Sequence, residues 1–147
     1  MIAQLNVAYA KAPLDSPEMA DFVNNLDRIN MLAESSSGFV WRLQTDEGHA
    51  IDIKLLDDPR FILNLSVWQS VRDLHHFVFK TDHNKVMRRK DEWFMPSEKA
   101  SVILWHIDDD APMPTAAEAF ERLAYFRENG PSDKAFTWRS AKDYGAL

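Results

Sequence analysis

Four stretches of the chain alternate with a period of two, and between them apolar residues recur every three to four positions. Ile2 to Ala10 puts Ala3, Leu5, Val7 and Tyr9 on one face and Ile2, Gln4, Asn6 and Ala8 on the other, so two amides lie on an otherwise apolar surface. Phe39 to Leu43 sets Phe39, Trp41 and Leu43 against Val40 and Arg42. Phe61, Leu63, Leu65 and Val67 oppose Ile62, Asn64, Ser66 and Trp68. In Ser101 to Ile107, Val102, Leu104 and His106 oppose Ile103, Trp105 and Ile107. All four stretches read as strands.

Helical spacing fills the gaps. Ser16-Pro17-Glu18 predicts an N-cap, a proline at the first helical position and an acid in the first turn. Met19, Phe22, Val23, Leu26, Ile29 and Ala33 then form a stripe that fails in the run Ser35-Ser36-Ser37-Gly38. Ser70 is expected to cap a second helix by accepting from the backbone N–H of Asp73, with Val71, Leu74, Phe77 and Val78 facing the sheet. A further helical segment follows Lys80-Thr81-Asp82, with His83, Met87, Lys90 and Phe94 on one face, and stops at Pro96. Thr115 and Glu118 form a capping box for a last helix over about 115–129, closed by Gly130-Pro131. In the tail, 131–147, Phe136 and Trp138 are expected to dock and the end to fray.

The order predicts a single α+β domain over 1–147, with the βαββαβ order of ferredoxin-like folds, an antiparallel sheet, helices on one face and an appended C-terminal helix. Thr45 to Arg60, acidic and containing Gly48 and Pro59, is expected to form an irregular excursion with a short extended piece over 50–55. The uncovered sheet face would expose several hundred Å² of apolar surface. Burying it against a second copy predicts a homodimer.

Composition narrows the chemistry. A net charge of −6 argues against nucleic acid as a partner, and the basic cluster Arg88-Arg89-Lys90 is followed at once by Asp91 and Glu92, as on a solvated helix face. With no cysteine, thiolate metal sites, disulfides and cysteine nucleophiles are excluded. The sequence has neither a signal-peptide pattern nor an apolar run of ~20 residues, so a soluble cytoplasmic protein is expected.

No HxxxH, HExxH or paired-carboxylate pattern is present, so no metal site is expected, nor is a glycine-rich phosphate loop. His75 and His76 point about 100° apart on a helix, and His49 falls in the acidic loop. His83 is the strongest histidine candidate, because it lies beside Met87 on a face bordering the sheet. Asn6, Arg42, Asn64, Trp68, His83, Arg88 and Trp93 are polar or aromatic groups on otherwise apolar elements. They either satisfy one another within the core or face a wet pocket.

The element order together with LSVWQSVRDLHHFVFKTDHNKVM resembles the antibiotic-biosynthesis-monooxygenase-like superfamily of dimeric α/β barrels. There a strand ending in Trp runs through a Ser-containing turn into a helix that reaches a His, places held here by Trp68, Ser70 and His83. The chain more closely resembles the family called domain of unknown function 3291. That likeness rests on AQLN at Ala3 to Asn6, GFVWR at Gly38 to Arg42, NLSVW at Asn64 to Trp68, MRRKDEWF at Met87 to Phe94, and AFERL and NGPSDKAFTW near the C-terminus.

The resemblance implies a homodimer that binds a small apolar or aromatic molecule between sheet and helices, and extends to a cofactor-independent monooxygenase. His83 and Asn6 would then be catalytic, with Asn64, Arg42, Arg88, Trp68 and Trp93 binding substrate. A non-enzymatic structural or ligand-binding dimer is the alternative. Haem binding or degradation is a weaker one: Asn6 resembles the haem-degrading branch, but its other marked places hold Phe77 and Met87, so His83 or His76 would have to substitute.

Overall fold

The computed structural model describes residues 1–44 and 58–147; the expected loop at Thr45, its extended piece over 50–55 and His49 lie outside the described residues. The fold is mixed α+β. Strands β1 (Ile2–Tyr9), β2 (Phe39–Arg42), β3 (Phe61–Trp68) and β4 (Val102–His106) form one sheet in the order β2-β3-β1-β4, every neighbouring pair antiparallel. β1 pairs with β3 along its whole length, from Ile2 opposite Trp68 to Tyr9 opposite Phe61.

The register shifts between Phe39 and Trp41. This corrects the strict alternation expected of β2. Phe39 packs with the Ile2 and Trp68 cluster, whereas Val40, Trp41 and Leu43 all turn to the opposite face, because an extra residue in one strand reverses its side-chain parity.

Helix α1 (Ala20–Glu34) is entered through a 3-10 turn, Pro17–Met19. Ser16 does not cap it as expected: its hydroxyl donates to the Pro13 carbonyl instead. Ser70 caps α2 (Val71–Lys80) as its position suggests, accepting from the Asp73 N–H at 3.1 Å. The segment after Thr81 breaks into two short helices, α3 (His83–Met87) and α4 (Lys90–Trp93). Thr115 caps α5 (Ala116–Asn129) through the Glu118 N–H, but the Glu118 carboxylate turns to Arg122 rather than closing a capping box.

α1 and α2 cover the face carrying Ile2, Gln4 and Asn6. The other face is not left open, contrary to the expectation of helices on one side only. Ala119 and Leu123 of α5 are buried against Ala3, Leu5, Val7, Leu65, Val67, Ile103 and Trp105. Burying each such large apolar side chain contributes roughly 1.5–3 kcal/mol. α5 thus occupies part of the apolar sheet face that a second copy was expected to cover.

The C-terminal tail docks through Phe136 and Trp138 as expected, and beyond them, where fraying is expected, Ala141 is buried as well. Leu104 and Phe136 exchange two backbone hydrogen bonds of 2.8 Å, covering the open edge of β4. Phe136 is fully buried and Tyr144 stacks on it at 5.6 Å, while Trp138 meets Phe79 and His75 edge-on. The last turn, Ala141–Tyr144, is a 3-10 helix whose Ala141 is also buried.

Candidate functional site

The sheet face covered by α1 and α2 carries two apolar clusters, not one. At the Ile2 end, Ile2, Trp68, Leu104, Leu74 and Phe77 pack with Ala33. At the Ala10 end, Ala10, Met19, Phe22 and Trp93 pack with Ile62. The rows between them are Gln4 opposite Ser66 and Leu104, then Asn6 opposite Asn64 and Val102. A polar stripe crosses the two central strands there. Leu26 and Val86 belong to one cluster and Ile29 and Met87 to the other, so both α1 and α3 bridge the seam above it.

Asn6 and Asn64 are exposed although they are cross-strand partners on the two innermost strands of a face that helices cover. Their exposure leaves this row open between the two apolar clusters. The next row is buried: Gln4 is 8% and Ser66 6% exposed.

Hydrogen bonds order this floor. The Gln4 side-chain amide donates from Nε2 to the Asn64 backbone carbonyl at 3.1 Å and to Asn64 Oδ1 at 3.3 Å. The Trp68 indole N–H donates to Ser66 Oγ at 3.0 Å. Arg42, opposite Ser66 on the edge strand, is half-buried and held through Nε to Glu34 of α1 at 2.8 Å. Its charge is therefore partly matched before any ligand arrives.

His83 starts α3 and lies on the Phe77 ring, centroids 4.8 Å apart; Phe77 in turn stacks on Trp68 at 5.1 Å. Its Nδ1 is 3.1 Å from the Val78 carbonyl. A carbonyl oxygen only accepts, so Nδ1 carries the proton and Nε2 keeps its lone pair. Burial lowers the His83 pKa from its ordinary value, partly countered by the Val78 contact. The ring is thus a neutral imidazole near pH 7, suited to accept a proton at Nε2.

The structure brings Asn6 and Asn64 together as direct neighbours, places Arg42 one row away on the edge strand, and connects His83 to the same floor through Phe77 and Trp68. It places the others in the core or at the surface. Trp68 and Trp93 are 1% and 2% exposed, packed as core. Arg88 is exposed at the end of α3, and its neighbour Arg89 pairs with Glu92 and Asp21 over the Trp93 ring. His75 and His76 are exposed, and His106 bonds the Tyr144 carbonyl through Nε2.

Sequence reasoning missed Gln4 and Ser66 as part of the site, although period two puts Gln4 on the Asn6 face. Among the described residues no group of three or more His, Asp or Glu side chains could hold a metal ion, and no helix is long and apolar enough to cross a membrane. An open groove of about 520 Å³ beside Lys99, Phe126 and Arg127 includes none of these candidates.

The sequence profile of the domain-of-unknown-function family DUF3291 matches residues 1–146, so the chain belongs to that family. No protein with a curated description matches it.

Proposed function

We propose that this DUF3291 protein binds a small, partly apolar organic molecule in the cleft between the sheet and helices α1 and α3. The observation that carries the reading is the exposure of Asn6 and Asn64 on the two central strands, between two apolar clusters. Their amides would hold a ligand oxygen, and half-buried Leu26, Ile29, Ile62, Val86 and Met87 would meet its apolar part. Trp68 and Trp93 support the clusters from beneath and do not stack on the ligand.

The strand order β2-β3-β1-β4 supports a ferredoxin-like reading of the fold, and with it the likeness to dimeric α/β barrels. Within that likeness the reaction class would be a cofactor-independent, monooxygenase-like oxidation. The supporting feature is His83, a neutral base whose Nε2 would take a proton from an acidic O–H or C–H of the ligand. Arg42 would face the resulting anion. Haem has less behind it, because Phe77 is stacked in the core and His76 stands exposed.

The second reading is a non-enzymatic dimeric module. It is favoured by the fully core placement of Trp68 and Trp93.

Native mass spectrometry of the protein purified from its source tests both. An organic adduct on the wild-type chain that is absent from the Asn6→Leu/Asn64→Leu variant is the expected result, and the same spectrum reads the oligomeric state. An adduct held equally by the variant would overturn the cleft assignment.

A further inference from the structure

We infer that Gln4 is a positioning residue that turns the Asn64 carboxamide so that its NH₂ points into the cleft, making the site select ligands that offer a hydrogen-bond acceptor there. The inference rests on the cleft proposed above.

The orientation follows without ambiguity from donor and acceptor identities. The Asn64 backbone carbonyl can only accept, so the Gln4 atom 3.1 Å from it is the Nε2 donor. That same NH₂ group lies 3.3 Å from the Asn64 side chain, so the Asn64 atom facing it must be Oδ1. Nδ2 is left as the other end of the amide. Gln4 is buried while Asn64 is exposed, so the director sits in the floor and the directed group at the surface. No acceptor for Asn64 Nδ2 is present among the described residues, and a ligand carbonyl or oxyanion would supply one. A ligand offering only N–H or O–H at that point would face a donor.

The register explains why Gln4 can do this. It is paired with Ser66, one row from Asn64 on the same face, so a glutamine side chain reaches both Asn64 oxygens at once. An asparagine at position 4 would be one methylene short.

The test uses three bicyclic probes of similar size titrated into ¹⁵N-labelled protein: 1-indanone, which accepts; indole, which donates; and indane, which does neither. One net hydrogen bond of about 1 kcal/mol is about fivefold in affinity, so wild-type protein should bind 1-indanone about fivefold more tightly than indane, and indole no better than indane. Both side-chain amides, Asn6 and Asn64, should shift. In Gln4→Glu the carboxylate can donate to neither Asn64 oxygen, so the director is lost and the preference for 1-indanone should disappear. Gln4→Leu keeps the volume, removes the director and should erase the preference; it carries the test if the buried glutamate unfolds the chain.

An unchanged preference for 1-indanone in the folded Gln4 variants would overturn the positioning role while leaving the cleft intact. Absence of any Asn6 or Asn64 shift with all three probes would overturn the cleft reading and this inference with it.

Discussion

The Asp73 carboxylate occupies the space that a Cβ on Gly38 would need. Gly38 has φ +83°, and any side chain there would collide with the Cβ, Cγ and Oδ2 atoms of Asp73. Asp73 is held in that place by Ser70, whose hydroxyl donates to its carboxylate at 2.8 Å and accepts from its N–H at 3.1 Å. The turn into β2 and the start of α2 are thereby locked together, and the Gln69 N–H adds a bond to the Gly38 carbonyl.

Gly38→Ala is expected to lose about 2–3 kcal/mol in urea unfolding, from left-handed backbone strain plus a displaced cap. Because the collision is with one side chain, Gly38→Ala/Asp73→Ala should lose less than the sum of the single variants. Strict additivity would show that the two residues do not share this contact.

Phe136→Ala should destabilise the chain by about 3–5 kcal/mol, since the ring is fully buried beside Leu104 and under Tyr144. The Leu104 amide, which donates to the Phe136 carbonyl, should be slow to exchange in the full chain. Removing residues 132–147 should make it fast and expose the β4 edge, measurable as aggregation.

Stability should depend on pH through His83. Its folded-state pKa lies below the ordinary 6.5, so the unfolded chain binds more protons in the interval beneath 6.5. The folded state is therefore favoured fully above pH 6.5. The advantage declines as pH falls through that value and is gone below the depressed folded pKa. Unfolding titrations between pH 7.5 and 5 should show this slope, and His83→Gln should flatten it. A steeper slope in the variant would contradict the burial assignment.

Asn6→Val should raise stability by up to about 1 kcal/mol while abolishing ligand binding. The side chain is exposed on a central strand, where a β-branched residue is the better strand former. Thermal melts of the variant check the first half, and probe titration the second. A loss of stability would mean that Asn6 belongs to the structural framework.

Much of the secondary structure was legible because its causes are local. The Phe61–Trp68 strand follows from period two, and the Ser70 and Thr115 caps from side chains that reach N–H groups three residues on. Where a residue's role depended on a distant partner, legibility stopped. Gln4 and Asn6 read alike in sequence, yet one directs an amide from the floor and the other stands exposed. Trp68 and Trp93 could equally have walled a cavity or filled a core, since an indole suits both; neighbouring Phe77 and Phe22 decide for the core.

By itself, the sequence determined the strands and the main helices, the Ser70 and Thr115 caps, the α+β class and the polar residues on β1 and on β3. These depend on spacing along the chain, which a sequence displays directly. Only the tertiary structure decided that α5 covers the second face of the sheet, that the tail closes the β4 edge, and that Asn6 and Asn64 meet across strands. An apolar stripe records that a helix must bury one side without recording what it is buried against, and strand register is a relation between residues about sixty positions apart.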